Sequence, residues 1–172
     1  MKKLLVSLAV SAALVFVANS AWALSVSLDV PVSFSFDDGG TADSVSGFKV
    51  GVGLPLFPLV GVGIGYENYE AKLKDNGVTG KGLYEFYDLF LEIPFPIVNL
   101  TVGGGVGQAQ AKVDSVGYDE KGDASQFFAS LGYPILPLLD VHVGYHVISA
   151  DKLPGDVDIS GEMWSLGVRV GF

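Results

Sequence analysis

The closing stretch Trp164-Ser165-Leu166-Gly167-Val168-Arg169-Val170-Gly171-Phe172 decides how this sequence is read. Every second side chain is large and apolar (Trp164, Leu166, Val168, Val170, Phe172), and those between are small or polar (Ser165, Gly167, Arg169, Gly171). A period of two describes a strand with two unlike faces. An apolar strand of this kind, ending on an aromatic residue, suits a barrel in a membrane. There the last strand pairs with the first, so that no backbone edge is left open to lipid.

The same alternation recurs upstream. From Leu24 to Phe36 the even positions are Leu24, Val26, Leu28, Val30, Val32, Phe34 and Phe36, and the odd ones are serines, Asp29 and Pro31. Pro31 has no N–H for a ladder, so a bulge or local fraying is expected there. Further strands are expected near Val45–Leu54, Leu59–Ala71, Leu83–Ile93, Ile97–Ala111, Ala124–Tyr133 and Leu138–Ser149. In the fourth the phase is mixed, with Phe86 and Phe90 on the polar side. Short Pro-rich turns begin at Pro55, Pro94 and Pro134 and alternate with polar loops, among them Lys72–Lys81, Lys112–Asp123 and Ala150–Ser160. Each Pro-rich turn opens a hairpin, which makes the weak internal repeat one of hairpins and not a solenoid.

Lys2 and Lys3, the apolar run Leu4–Val17 and Ala21-Trp22-Ala23 have the layout of a secretory signal peptide cleaved after Ala23. The domains expected are therefore 1–23, a leader, and 24–172, one barrel. Beyond the leader no stretch is long and continuously apolar, yet the chain is 49% hydrophobic and 17% charged, with 23 glycines. That is greasier than a usual secreted soluble domain and too glycine-rich for a helical one. Residues 24–172 carry 8 basic and 19 acidic side chains, a balance of about −11 that argues against nucleic acid as a partner.

Two eight-stranded architectures compete. A lipocalin-like barrel turns its apolar face inward, and a membrane barrel turns it outward. The second face here is mostly Gly and Ser, without the Lys and Glu carpet of a solvated surface. Eight strands leave an interior only just wide enough for side chains, so small residues belong inside and large aliphatics belong in lipid. The fold expected is all-β: a closed eight-stranded antiparallel up-and-down transmembrane β-barrel. Short turns would lie in the periplasm and long loops outside the cell. Tyr66, Tyr84, Tyr87 and Trp164 would then mark the outer aromatic girdle, and Phe57, Phe95, Tyr133 and Phe172 the inner one.

With its leader, eight alternating strands, Pro-rich short turns and terminal Phe172, the chain resembles the small outer-membrane barrels typified by OmpA's transmembrane domain, OmpX and OmpW. The resemblance implies Sec export, outer-membrane localisation and a monomer surrounded by outer-membrane lipid and lipopolysaccharide. It also implies that Val168, Val170 and Phe172 act as the signal for the barrel-assembly machinery. It says little about activity, because such barrels host unrelated functions.

The inward phase carries Asp29, Lys49, Glu67, Asp88, Glu92, Asp140, His142, His146 and Arg169. Hairpin counting places Lys49 beside Glu67, Glu67 beside Asp88, and Arg169 near His142 and Asp140. In a dry, narrow interior such charges must pair. This reads as a lumen filled by ion pairs, in a structural or interaction protein of the envelope. The alternative is a narrow pore or transporter for small or apolar solutes, gated by partner exchange. His146, Ser149 and Glu162 loosely resemble the residues of lipid A deacylase barrels. However, a spacing of three puts His146 and Ser149 on opposite faces, and Glu162 falls on the lipid phase. No enzyme, cofactor or resident metal is expected. Acidic loops (Asp37, Asp38, Asp43; Asp114, Asp119, Glu120, Asp123; Asp151, Asp156, Asp158) read first as a solvated rim, and second as sites for divalent cations bridging to lipopolysaccharide.

Overall fold

A computed structural model describes residues 24–38, 40–57, 60–75 and 78–172. The expected leader, residues 1–23, lies outside the described residues, as does the side chain of Phe57. The strands are β1 (Ser25–Phe36), β2 (Ser44–Phe57), β3 (Val60–Asp75), β4 (Val78–Pro94), β5 (Asn99–Val113), β6 (Tyr118–Leu136), β7 (Leu139–Ala150) and β8 (Gly161–Gly171). They pair in chain order, all antiparallel, and close as an eight-stranded barrel. Closure runs through β1 and β8, from Ser25↔Gly171 to Phe36↔Gly161, with the Phe172 N–H donating to the Leu24 carbonyl at 2.9 Å.

The bulky phase faces outward. Leu28, Val143 and Val168 are 48%, 39% and 42% exposed, and Val106, Leu89 and Phe127 are among the many large apolar side chains on the outer wall. Such a surface is stable only in hydrocarbon.

Three expectations are corrected. Phe34 and Phe36 do not face lipid. The β1–β8 register shifts between Pro31 and Ser33, and this bulge reverses the phase above it, so Phe34 is fully buried inside. Tyr84 is not in the outer girdle; its side chain is buried in the lumen. Finally, Lys72–Asp75, Val78–Lys81 and most of Lys112–Asp123 are strand where loop was expected. Pairing continues to Asp75↔Val78 and Val113↔Tyr118, with a single 3-10 turn (Asp114–Val116) at the second tip. Strands above a membrane are polar on their outer face too, and their sequence then looks like loop.

Along the β1–β2 seam, continuous pairing ends at Asp29↔Lys49. Above it β1 meets the segment that leads into β2, where the Ala42 N–H donates to the Phe34 carbonyl and Ser35 bridges Thr41. Pro31 brings no N–H to this seam. On the other side Gly47 adopts φ +140°, and a side chain there would strike the Asn68 carbonyl and Tyr69.

Candidate functional site

The barrel interior is the only place where ionisable side chains are gathered out of water among the described residues. It is built from inward positions, two residues apart, on all eight strands. All nine charged residues singled out in the sequence lie there. Eight are buried, and the Glu92 side chain, nearest the short-turn end, keeps 16% of its surface exposed.

They form two groups. At the short-turn end the Arg169 guanidinium spans three strands. It lies 3.3 Å from Glu92 and 3.7 Å from Asp140, and donates to the Thr101 hydroxyl at 2.7 Å. Ser25 donates to Glu92, and Asn99 to Asp140 at 2.9 Å. His142 sits between Asp140 (Nδ1, 3.2 Å) and Asp29 (Nε2, 2.7 Å). A neutral imidazole donates only one hydrogen bond, so either both ring nitrogens are protonated or one carboxyl carries the extra proton.

One level up, the Lys49 ammonium bridges Glu67 at 2.5 Å and Asp88 at 3.1 Å, over the face of the Phe128 ring. Glu67 and Asp88 are thus neighbours through a shared cation. Gln126 donates to Asp88 at 2.8 Å and faces His146, whose other nitrogen meets the Ser165 hydroxyl at 3.2 Å. Sequence reading missed these neutral partners. Thr101, Asn99, Gln126 and Ser165 share the inward phase with the charges, and that phase was the signal available. Small residues make the room. At Gly63 a Cβ would collide with the Phe90 ring and the Val52 carbonyl, and at Gly105 with the Asp88 carboxylate.

Above this level the lumen turns apolar. Phe34, Tyr69, Tyr84, Phe86, Ile148 and Met163 pack with Ala71, Ala109, Ala111 and Ala124. Tyr69 and Tyr84 stack with centroids 5.0 Å apart, and Phe34 lies 5.2 Å from Tyr84. The β7–β8 loop folds over the top and inserts Leu153 and Ile159. The Tyr84 hydroxyl ties the loop down by donating to the Ile159 carbonyl at 2.7 Å. At the loop's base the Ser160 N–H donates to Asp158 at 2.9 Å, and the Ser160 hydroxyl bonds there as well, holding this carboxyl below its ordinary range. Two cavities among the lumen charges are about 10 Å³ each, room for about one water.

Residues 4–172 match the model of the outer membrane protein beta-barrel domain. The chain belongs to that family. Its place is accordingly the outer membrane of a Gram-negative cell. Among solved structures, it resembles Neisserial surface protein A (20% identity, TM-score 0.61, 87% of this chain and 97% of that one). It also resembles Ail of Yersinia pestis, solved in complex with the heparin analogue sucrose octasulfate (19% identity, TM-score 0.62, 87% and 96%). A third is OprG of Pseudomonas aeruginosa (11% identity, TM-score 0.54, 88% and 96%). At these identities the likeness is one of fold. Comparison with curated protein sequences finds no match.

In this outer-membrane barrel His146 is buried in the lumen, whereas Ser149 and Glu162 are exposed, so the deacylase-like trio does not converge. No group of three or more carboxylate or imidazole side chains is placed to hold a metal ion among the described residues.

Proposed function

We propose that this protein is a closed, non-enzymatic barrel with a structural or interaction role in the envelope. It offers the outside its loops and long hairpins rather than a pore. One observation carries the reading: among the described residues the interior is packed with ion pairs below and an apolar plug above, and two cavities among the charges are about 10 Å³ each. A conducting lumen of eight strands would need a continuous wet path, and across the top of this one Phe34, Tyr69, Tyr84 and Ile159 pack together, with the Tyr84 hydroxyl and the Ile159 carbonyl already bonded to each other. The assignment includes Sec export with cleavage after Ala23, insertion by the assembly machinery through Val168, Val170 and Phe172, and a monomeric state.

The test is solute uptake by proteoliposomes. Vesicles holding the refolded barrel should swell in small sugars no faster than protein-free vesicles. Swelling that scales with protein content and slows with sugar size would replace this reading with that of a pore.

A further inference from the structure

The register places an unusual set of side chains on the outer wall. Lys72 stands opposite Lys81, and Lys81 opposite Lys112, in one row across β3, β4 and β5. The next rung down adds Lys121, opposite Gln110 on β6, and the next rung up adds Lys74 on β3. Their neighbours Ala71, Gly82 and Ala111 point into the lumen, so the row itself points outward. Like charges directly opposite on neighbouring strands repel. Five of the eight cations in residues 24–172 nevertheless share this one wall, in a stretch that holds 19 acidic side chains.

The height of the row narrows what could sit against it. On the same three strands the last apolar rung is Tyr66–Tyr87–Val106, and the first polar one is Asn68–Glu85–Gln108. Both phenols of that apolar rung donate to Glu85, which marks the edge of the hydrocarbon. The lysine row lies six residues further along each strand, about 20 Å of chain and about 15 Å of height at ordinary strand tilt. A glycerophospholipid headgroup reaches only about 6 Å beyond the hydrocarbon. A saccharide headgroup is taller and stands beside this wall in the outer leaflet. On the opposite side of the barrel β1, β7 and β8 end at Phe36, Ala150 and Gly161, so the row lies on the taller β2–β6 wall, where Ser44 of β2 stands opposite Lys72.

We propose that Lys72, Lys81 and Lys112, flanked by Lys74 and Lys121, form a binding site for phosphate groups on the saccharide headgroup of outer-leaflet lipopolysaccharide. Each central lysine touches one carboxylate: Glu70 at 2.9 Å, Asp114 at 3.6 Å and Asp119 at 3.2 Å respectively. Each ammonium has three donors and remains partly exposed, so these pairs orient the lysines and leave donors for a phosphate oxygen. The site is independent of whether the lumen conducts.

The test titrates the refolded barrel in detergent, with chelator present, against lipopolysaccharide carrying a phosphorylated core. Parallel titrations use the same lipopolysaccharide stripped of core phosphate, phosphatidylglycerol and a sulfated polysaccharide. Wild type and the control Lys152→Gln should bind the phosphorylated form alike. The triple variant Lys72→Gln/Lys81→Gln/Lys112→Gln should bind it about tenfold more weakly at physiological salt. If the triple variant loses its heat-modifiable folded band, single Lys81→Gln replaces it, with a smaller loss in the same direction. Equal affinity of the variant overturns the proposal. So does binding that the chelator abolishes, which would assign the contact to carboxylates and a cation. So does equal binding of the stripped lipid, phosphatidylglycerol or the sulfated chain.

Discussion

The two halves of the lumen solve one problem by opposite means. Below, five carboxylates, Lys49, Arg169 and two imidazoles fill the barrel with charge, each held by partners from other strands. Above, Phe34, Tyr84, Phe86 and Ile148 fill the same cylinder with hydrocarbon. Both exclude water. A charged filling fixes register, because every ion has a defined partner, but loses much when one partner goes. An apolar filling tolerates substitution better and seals more completely. The lower half therefore acts as the specifying element of the barrel and the upper half as its stopper.

The largest effect should come from Lys49→Met, which leaves Glu67 and Asp88 buried against each other without their cation. Urea unfolding in lipid vesicles should show a loss of about 3–5 kcal/mol. Adding Glu67→Gln and Asp88→Asn should restore most of it. Failure of that rescue would mean that packing, and not charge, holds the lower half.

Next, Gly63→Ala forces a Cβ into the Phe90 ring and the Val52 carbonyl and should cost about 1–3 kcal/mol in the same assay. Tyr84→Phe removes the bond to the Ile159 carbonyl and should cost about 1 kcal/mol. Hydrogen exchange should speed up in the β7–β8 loop while the Lys49 level keeps its protection. Exchange spreading to β3 and β4 would show that the halves are not separate.

The smallest effect concerns pH. The Asp158 carboxyl is held low by the Ser160 hydroxyl and N–H, so its share of loop anchoring is present above the ordinary carboxylate range and is lost as pH falls through the lowered value. Protease nicking at the β7–β8 loop should rise only in strongly acidic solution. Asp158→Asn should flatten that dependence.

The outer wall was legible in the sequence because lipid demands an apolar side chain at nearly every outward position, which leaves a period of two. The charged half was legible for the complementary reason. An ion on the inward phase of a membrane strand has only another ion to meet, so Lys49 could be matched to Glu67 by counting along one hairpin. The plug was not legible. Phe34, Ile148 and Met163 are apolar like the lipid face, and hydropathy does not record which side of the wall a side chain takes. One extra residue at Val32 was enough to turn Phe34 and Phe36 inward. The hairpins above the membrane were equally hidden, since Lys72, Lys81 and Lys112 alternate with small residues and read as polar loop.

Single-channel recording in planar bilayers tests the stoppered lumen most directly. The refolded wild-type barrel should give no resolved current steps at either polarity, whether the bath is neutral or acidic. Discrete, voltage-independent steps that scale with salt concentration would contradict it, because they would require a continuous aqueous path through the level of Tyr84 and Ile159.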